Sequence, residues 1–294
     1  MNQKLLVTGA SGFLGWNICQ VAQSGWEVYG TYNSSPVTDS GVKFIKTDLT
    51  VLGDLKEVWE EIKPDAVIHA AAASKPNFCQ ENPDISHKIN VVAAGDIASL
   101  CGEAGIPYVF TSTDLVFDGL NPPYRETDLV CPINIYGEQK VKAEGEILAR
   151  YPQATICRMP LMYGIASPHG GSFMQGFIKT LKSGNYLNLF EDEFRTPVSG
   201  TTAARGLLLA IEKKANGGIL HLGGKQRISR YEFGLLMAQV LDLPADRITR
   251  GKQQDVKSIA PRSPDTSLES SKAFDLGYEP PLIMEELAAL RGLV

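Results

Sequence analysis

Short β-branched and apolar runs alternate with helical patterns through the first 160 residues. This alternation is typical of a parallel sheet whose strands are joined by crossover helices. The predicted strands are Lys4–Thr8, Glu27–Tyr32, Lys43–Lys46, Ala66–Ala70, Tyr108–Thr111 and Thr155–Arg158. The predicted helices between them are Leu14–Ser24, Leu52–Ile62, Ile89–Ala104 and Gly137–Arg150. The pattern therefore predicts an α/β fold with a doubly wound parallel sheet of the Rossmann type.

The alternation becomes irregular after Pro160, where a loop rich in glycine and proline precedes further elements. Ser229 and Glu232 have the spacing of a capping box, which predicts a helix ending at Leu241. The other predicted elements are helices Phe173–Ser183 and Thr201–Lys214 and strands Tyr186–Phe190 and Gly218–Leu222, followed by a loop-rich region Pro244–Val294. We therefore predict a dinucleotide-binding core over residues 1–160, completed by elements within about 198–223. A smaller, interleaved C-terminal substrate lobe is predicted over 161–197 and 224–294.

Composition and charge narrow the classes of function. The net charge of −5, with no basic cluster beyond the Lys213–Lys214 pair, argues against nucleic acid as a partner. The five cysteines form no C-x-x-C pair, and no metal-ligand spacing joins them to the four histidines, so no metal site is predicted. The chain begins without a signal-peptide pattern and contains no apolar stretch long enough to span a bilayer. We expect a soluble protein of the reducing cytoplasm that does not bind membranes.

A glycine-rich segment directly follows the first predicted strand and opens an amphipathic helix. Residues 8–15 read Thr-Gly-Ala-Ser-Gly-Phe-Leu-Gly. In this context Gly9 permits a tight turn, Gly12 lets the backbone approach a pyrophosphate, and Gly15 lets the helix pack on the strand. The helix N-terminus favours the negative charge of the pyrophosphate. A dinucleotide site is therefore predicted in preference to a glycine turn without a ligand.

The end of the second strand bears on the choice of cofactor. A carboxylate at this position usually binds the ribose 2′-hydroxyl of NAD, but residues 29–35 read Tyr-Gly-Thr-Tyr-Asn-Ser-Ser. NADP(H) is therefore the preferred prediction and NAD(H) is admissible, since no arginine selects the 2′-phosphate. Asp48 and Leu49 are placed to contact the adenine, although Asp48 is as consistent with a helix N-cap. The small residues Ala70, Ala71 and Ala72 leave room for the cofactor.

Hydride-transfer chemistry is indicated by Thr113 at the end of the fifth strand and by Tyr136 and Lys140 on one face of the next helix. An ammonium group and an oxidised nicotinamide both favour the phenolate of a neighbouring tyrosine. Tyr136 is predicted to exchange a proton with a carbonyl or alcohol oxygen, and Thr113 to hold that oxygen. Lys140 is predicted to bind the nicotinamide ribose. A tyrosine and lysine at this spacing alone would suggest an ordinary surface helix.

These motifs, in their order along the chain, resemble the extended short-chain dehydrogenase/reductases, and most closely the dTDP-4-dehydrorhamnose reductase-like family. The segments that carry the resemblance are TGASGFLG, TDL, HAAA, STDLVFDG, YGEQK and Arg195-Thr196-Pro197, with a late element running from Arg262 to Lys272. The resemblance implies that Thr113, Tyr136 and Lys140 are catalytic. It also implies that the cofactor is lined by Gly9, Ser11, Gly12, Phe13, Leu14, Asp48, Leu49, Ala70, Ala71 and Ala72.

By the same resemblance, the substrate is a nucleotide-linked 4-keto sugar bound between the strand ends and the later lobe. Arg195 and Arg262 are candidate diphosphate ligands, Tyr163 and Phe173 candidate packing surfaces, and Lys75 a residue at the mouth of the site. Each arginine is as consistent with a structural ion pair, and Lys75 with a solvated loop. The chain departs from the family pattern in two places. Where the reductases have an aromatic residue after the sixth strand, residues 158–163 read Arg-Met-Pro-Leu-Met-Tyr, and Ser263 interrupts the late Arg-Pro element.

Two alternatives to a reductase stay open. An epimerase or dehydratase uses the same fold, and the dehydratases add an acid beside the catalytic hydroxyl, a position that Asp114 occupies here. A non-catalytic subunit is the other alternative, because the regulatory subunit of methionine adenosyltransferase resembles the same reductases. A homodimer is compatible with any of these functions.

Overall fold

Seven parallel strands form the central sheet of the computed structural model, which describes residues 3–213 and 217–294. The strands are β1 (Lys4–Thr8), β2 (Glu27–Tyr32), β3 (Val42–Lys46), β4 (Ala66–His69), β5 (Tyr108–Thr113), β6 (Thr155–Met159), β7 (Met162–Tyr163), β8 (Leu187–Phe190), β9 (Phe194–Arg195), β10 (Val198–Ser199), β11 (Gly218–His221), β12 (Ile228–Ser229) and β13 (Ile248–Gly251). The order across the sheet is β11-β6-β5-β4-β1-β2-β3. The direction of winding reverses between β1 and β4, and such a reversal opens a ligand crevice at the carboxyl ends of the strands.

Helices cover both faces of this sheet. They are α1 (Phe13–Ala22), α2 (Leu52–Ile62), α3 (Pro76–Glu81), α4 (Pro83–His87), α5 (Ala93–Ala104), α6 (Ile135–Arg150), α7 (Phe173–Lys182), α8 (Gly200–Glu212), α9 (Arg230–Val240), α10 (Ser271–Asp275) and α11 (Ile283–Ala289). One face is packed by α1 and α8, and the other by α2, α5 and α6. The predicted doubly wound α/β fold is therefore confirmed.

The predicted elements match the structure closely, with three informative differences. β5 continues to Thr113, beyond the predicted end at Thr111. The predicted helix Ile89–Ala104 is a π-helical turn, Lys88–Val92, followed by α5. The short helices α3 and α4 each begin at a proline and are too short to show the periodicity on which the prediction relied. The predicted end of α8 at Lys214 lies outside the described residues.

A second apolar core lies in the later part of the chain, between α7, α9, α11 and the parallel pair β8–β13. The capping box predicted for α9 is present: Ser229 Oγ accepts from the Glu232 amide at 3.1 Å, and Glu232 Oε2 accepts from the Ser229 amide at 2.8 Å. The antiparallel pair β9–β12 brings Arg195 beside the start of this helix. The later lobe therefore has an apolar core of its own, and the β9–β12 pair fixes the position of Arg195 relative to α9. Within the described residues, no helix has the length and apolar character needed to cross a bilayer.

Candidate functional site

A cleft of about 1280 Å³ runs from the start of α1 to the later lobe. It is bordered by the ends of β1, β2, β4 and β5, and by residues of α6 and α9. The cleft brings together Gly9, Ser11, Gly12, Phe13, Leu14, Gly15, Asp48, Leu49, Ala70, Ala71, Ala72, Lys75, Thr113, Tyr136, Lys140, Phe173, Arg195 and Arg262. Every residue that the sequence placed at the site, apart from Tyr163, lines this cleft.

The glycine-rich turn at one end of the cleft has no room for a side chain at Gly9 or Gly15. Gly9 has a positive φ of 69°, and a Cβ there would lie 2.7 Å from Ala71 Cα. A Cβ on Gly15 would lie 2.2 Å from the Gly9 carbonyl oxygen. The N-cap of α1 is Gly12, and among residues 3–213 and 217–294 no side chain caps this helix, so its first amides can bind an anion. The turn fits the pyrophosphate of a dinucleotide.

A loop from the later lobe lies across this turn, and we call residues 165–171 the strap. Ser167 Oγ donates to the Ser11 carbonyl oxygen at 2.7 Å. His169 Nε2 lies 2.8 Å from the Pro36 carbonyl oxygen, beyond the end of β2. A Cβ on Gly170 would lie 2.9 Å from the Phe13 nitrogen, so the close approach requires glycine. The strap thus closes one side of the predicted dinucleotide site.

The predicted adenine end of the cleft contains Asp48. Its Oδ1 accepts from the amide of Thr50 at 2.9 Å and from its hydroxyl at 2.7 Å, and these bonds lower the pKa of the carboxyl group. The N-cap of α2 is Val51, so the interpretation of Asp48 as the cap is wrong. At the end of β2 the cleft is lined by Thr31, Tyr32, Asn33 and Ser34, none of which is acidic.

Thr113, Tyr136 and Lys140 meet in the middle of the cleft. Asn134 caps α6 by accepting from the Gly137 amide at 2.9 Å, which fixes the first turn that carries Tyr136. One turn later, Lys140 Nζ donates to the Thr111 carbonyl oxygen at 2.8 Å and lies 5.9 Å from the centre of the Tyr136 ring. A threonine, a tyrosine and a lysine, predicted to act together, therefore share one wall of the cleft.

Burial has opposite effects on the two titratable groups of this trio. It raises the pKa of the Tyr136 phenol, and nearby Asp114 raises it further, whereas a hydrogen bond with Thr113 opposes the shift. It lowers the pKa of the Lys140 ammonium to about 7, although Glu144 favours the charged form. Tyr136 therefore retains its proton at neutral pH, as a proton donor must.

Arg195 lies in the wall of the cleft, but its guanidinium is held by the protein. Its Nε lies 3.3 Å from Asp114 Oδ2, and its two Nη atoms donate to the carbonyl oxygens of Phe194 at 2.6 Å and Ser263 at 3.0 Å. Asp114 also accepts from the Thr266 hydroxyl at 2.7 Å. The prediction that Arg195 offers a guanidinium to a diphosphate is therefore corrected: all three nitrogens have protein partners, and the residue holds the segment after β5 against the later lobe.

The far end of the cleft contains a carboxylate surrounded by arginines. Glu193 Oε1 lies 3.4 Å from Arg230 Nε, and Glu193 Oε2 lies 3.4 Å from Arg262 Nη1. The Arg230 guanidinium stacks on the Phe173 ring, 4.1 Å from its centre. We call Glu193, Arg230 and Arg262, with Phe173, the charged wall.

Tyr163 does not reach the cleft, so its predicted contact with the substrate is wrong. The side chain is fully buried against Phe233, and its hydroxyl donates to Glu286 Oε2 at 2.5 Å. Glu286 Oε2 also accepts from the Ser199 amide at 2.9 Å. The pairing of β7 with β10 directs Tyr163 into the core of the later lobe.

A family model described as the RmlD substrate binding domain matches residues 3–290. The chain belongs to this family. The match spans both the glycine-rich turn and the charged wall. The predicted membership of the dTDP-4-dehydrorhamnose reductase-like family is confirmed.

This member of the RmlD family is similar to proteins whose names indicate different functions. The chain is 30% identical to the probable low-salt glycan biosynthesis reductase Agl14 of Haloferax volcanii, over 97% of this chain and 96% of that protein. It is 29% identical to methionine adenosyltransferase 2 subunit beta of Xenopus laevis, over 94% of this chain and 83% of that protein. The crystal structure of a dTDP-4-dehydrorhamnose reductase from Clostridium acetobutylicum superposes with a TM-score of 0.84 at 27% identity, covering 98% of each chain.

Two members of the charged wall, Glu193 and Arg230, were not predicted from the sequence. Glu193 precedes β9 in a segment that carries no motif, and Arg230 lies between the two capping-box residues, a pattern that indicates a helix start and not a binding residue. Their proximity depends on the pairing of β9 with β12, which joins segments distant in sequence. The sequence contains Arg195, Arg230 and Arg262 but does not show which of them pairs with a protein carboxylate.

Proposed function

We propose that this protein is an NAD(P)H-dependent reductase of a nucleotide-linked 4-keto sugar, with Tyr136 as its general acid. The observation that carries the proposal is the position of Tyr136, Thr113 and Lys140 midway along one cleft. At one end of that cleft is a turn suited to a dinucleotide, and at the other a charged wall suited to an anionic substrate. The similarity to a probable reductase over nearly the whole chain supports the same assignment.

The dinucleotide would be held by the uncapped N-terminus of α1 and by the glycine-rich turn, with Asp48 and Leu49 beside its adenine. NADP(H) is the preferred cofactor in this proposal, because the cleft residues that end β2 are polar and uncharged and so would not repel a 2′-phosphate. When bound, the reduced nicotinamide supplies the hydride that the protein itself lacks.

The chain's own residues would manage the proton. Tyr136 donates its phenolic proton to the oxygen of the substrate carbonyl, and Thr113 positions that oxygen with its hydroxyl. Lys140, once protonated, stabilises the phenolate left on Tyr136 and contacts the ribose next to the nicotinamide. Burial of all three side chains excludes water, which strengthens these charge interactions in the transition state.

A non-catalytic binding subunit is the second candidate. It is favoured by the 29% identity to methionine adenosyltransferase 2 subunit beta over 94% of the chain. In that case the cleft would bind a dinucleotide without turnover, and the protein's activity would depend on a partner protein.

The test is a panel of nucleotide-linked 4-keto sugars with NADPH, followed by the loss of absorbance of the reduced nicotinamide. Reductase function requires turnover by the wild type that is lost in Tyr136→Phe. If the wild type binds NADPH yet reduces none of the panel, and a methionine adenosyltransferase catalytic subunit co-elutes with it, the binding-subunit function replaces the reductase. Retention of oxidised cofactor with interconversion of sugars would instead indicate an epimerase.

A further inference from the structure

Glu144 and Arg158 form a buried ion pair that is not among the residues lining the cleft. Glu144 Oε2 accepts from Arg158 Nη2 at 2.8 Å, and Oε1 accepts from Arg158 Nε at 3.1 Å. Two such parallel hydrogen bonds fix a carboxylate and a guanidinium relative to each other. Because desolvation offsets most of the attraction in a buried ion pair, stability alone does not explain why one lies here.

The remaining nitrogen of the Arg158 guanidinium is paired with a neutral group. Its Nη1 lies 3.4 Å from His221 Nε2, and Nδ1 of that ring faces the carbonyl oxygens of Tyr124 at 3.1 Å and Glu269 at 3.2 Å. Burial, and after it the charge of Arg158, lower the pKa of His221 to about 4. The imidazole is therefore neutral at pH 7, and Glu144 is the group that balances the charge of Arg158.

The ion pair is joined to the catalytic trio through α6 and β5. Tyr136, Lys140 and Glu144 follow one another at intervals of four residues on α6 and so share one face of the helix. On β5, the Thr111 carbonyl oxygen accepts from Lys140 Nζ at 2.8 Å. The next residue, Ser112, donates its hydroxyl to Glu144 Oε1 at 2.5 Å. Consecutive residues of one strand therefore hold the ammonium and the carboxylate one helical turn apart.

The Glu144 carboxylate favours the ammonium form of Lys140. The other titratable side chains that face this ammonium are Tyr136 on the same helix, Cys79 from α3 and His69 from β4. Burial raises the pKa of the phenol and of the thiol and lowers that of the imidazole to about 3, so these three groups are neutral at pH 7. The charge of Lys140 thus depends on a balance between its burial and one carboxylate.

We propose that Glu144 and Arg158 are positioning residues that set the charge of Lys140, Glu144 by favouring the ammonium and Arg158 by limiting that effect. The inference rests on the proposed function, in which protonated Lys140 stabilises the phenolate on Tyr136. Without Arg158, the Glu144 carboxylate would hold the proton of Lys140 to a higher pH. Without Glu144, the ammonium would lie in a buried site with an uncompensated guanidinium nearby and would lose its proton at a lower pH.

The experiment determines the folded-state pKa of Lys140 by urea unfolding from about pH 5 to pH 10. Each protein is compared with the same protein carrying Lys140→Met, and the pH at which the difference between their free energies of unfolding begins to change gives this pKa. The variants are Glu144→Gln, Arg158→Gln and the double variant Glu144→Gln/Arg158→Gln, which leaves neither charge of the pair unpartnered. Glu286→Gln is the matched control, because Glu286 is about as buried as Glu144 and bonds to Ser199 at the start of α8.

The two single substitutions should move the pKa of Lys140 in opposite directions. Glu144→Gln should lower it by about one pH unit or more, the usual effect of losing a nearby opposite charge, and Arg158→Gln should raise it. The double variant should lie between them, and Glu286→Gln should lose stability without changing this pKa. If Glu144→Gln does not fold, Arg158→Gln and the double variant still differ only in the charge of Glu144, and the pKa must be higher in Arg158→Gln. Shifts of both single variants in the same direction, or no shift, would overturn the inference, because a purely structural role disturbs both alike.

This outcome is independent of turnover. Opposite shifts in a protein that reduces no keto sugar would retain the control of Lys140 and reject the reductase. Where turnover is found, its decline at high pH should come earliest in Glu144→Gln and latest in Arg158→Gln, because protonated Lys140 is the form that stabilises the phenolate. Turnover with an unchanged pKa of Lys140 in every folded variant would retain the reductase and reject the roles of Glu144 and Arg158.

Discussion

The glycine-rich turn at one end of the cleft is made from the backbone of residues 8–15, whereas the charged wall at the other end joins side chains from α7, the residue before β9, α9 and the segment before α10. The first end needs only a strand, three glycines and a helix start in sequence order. The second end depends on which arginines form ion pairs with carboxylates of the protein. Arg195 pairs with Asp114, and Arg230 pairs with Glu193 through its Nε.

This difference teaches that a binding feature made from contiguous backbone can be predicted from its motif, whereas one made from dispersed charges cannot. Replacement of a charge in the wall therefore has either a structural or a binding effect, depending on its partners.

Arg195→Met should destabilise the protein by about 3–5 kcal/mol, because it leaves the buried Asp114 carboxylate without its ion-pair partner. The free energy of unfolding in urea measures the effect. The control is Arg227→Met, which should cost less than about 1 kcal/mol, because Arg227 is half exposed and the buried Asp265 keeps its hydrogen bonds from the amide and hydroxyl of Ser267. Equal effects of the two substitutions would contradict the structural role of Arg195 and restore it as a candidate ligand.

Tyr136→Phe should lower turnover at least about a hundredfold while NADPH affinity stays unchanged, because the phenol acts on the transferring proton. Steady-state kinetics on a substrate found in the keto-sugar panel would measure it. Tyr163→Phe is the matched control: this buried phenol bonds to Glu286 and not to the cleft, so its loss should lower stability and leave turnover within about twofold. Turnover retained by Tyr136→Phe would show that the proton comes from another group.

The stability of the wild type should rise relative to Lys140→Met as pH increases from about 7 to 10. The folded-state pKa of Lys140 is lowered to about 7, whereas the unfolded chain keeps its proton to a pKa of about 10.5. Within that window the unfolded state binds more protons, so stability increases with pH by up to about 1.4 kcal/mol per pH unit. Urea unfolding at pH 7, 8 and 9 checks this. Parallel curves for the two proteins would mean that Lys140 stays charged when folded.

NADPH should bind at least as tightly as NADH, with a difference of no more than about tenfold, since no acid ends β2 and no arginine lies among the cleft residues there. Fluorescence titration of the two dinucleotides measures the ratio. Asp39, between β2 and β3, is an acid that could bind the ribose 2′-hydroxyl of NADH, but its oxygens accept from Gln20, Gln23 and the Gly41 amide. A strong preference for NADH would therefore require these contacts to break.

Most of the fold was predictable, because hydrophobic periodicity and glycine placement encode strands and crossover helices locally. The catalytic trio was also predictable, since Tyr136 and Lys140 share a helix and Thr113 ends a strand of the same sheet. The roles of Tyr163 and Arg195 were not. Tyr163 faces the core because β7 pairs with β10, and Arg195 is neutralised by Asp114, which lies far away in sequence. Such contacts follow from tertiary pairing, about which local patterns carry no information.

The burial of Glu286 has a consequence for how the protein is made. This carboxylate, near the end of the chain, accepts hydrogen bonds from Tyr163, Ser199 and Thr202, and so secures the start of α8, which packs on α1. Domains fold largely as they emerge during synthesis. Here the start of α8, and with it the support of α1, is complete only after Glu286 has left the ribosome, so the core that begins at the glycine-rich turn cannot finish folding before the later lobe has been synthesised.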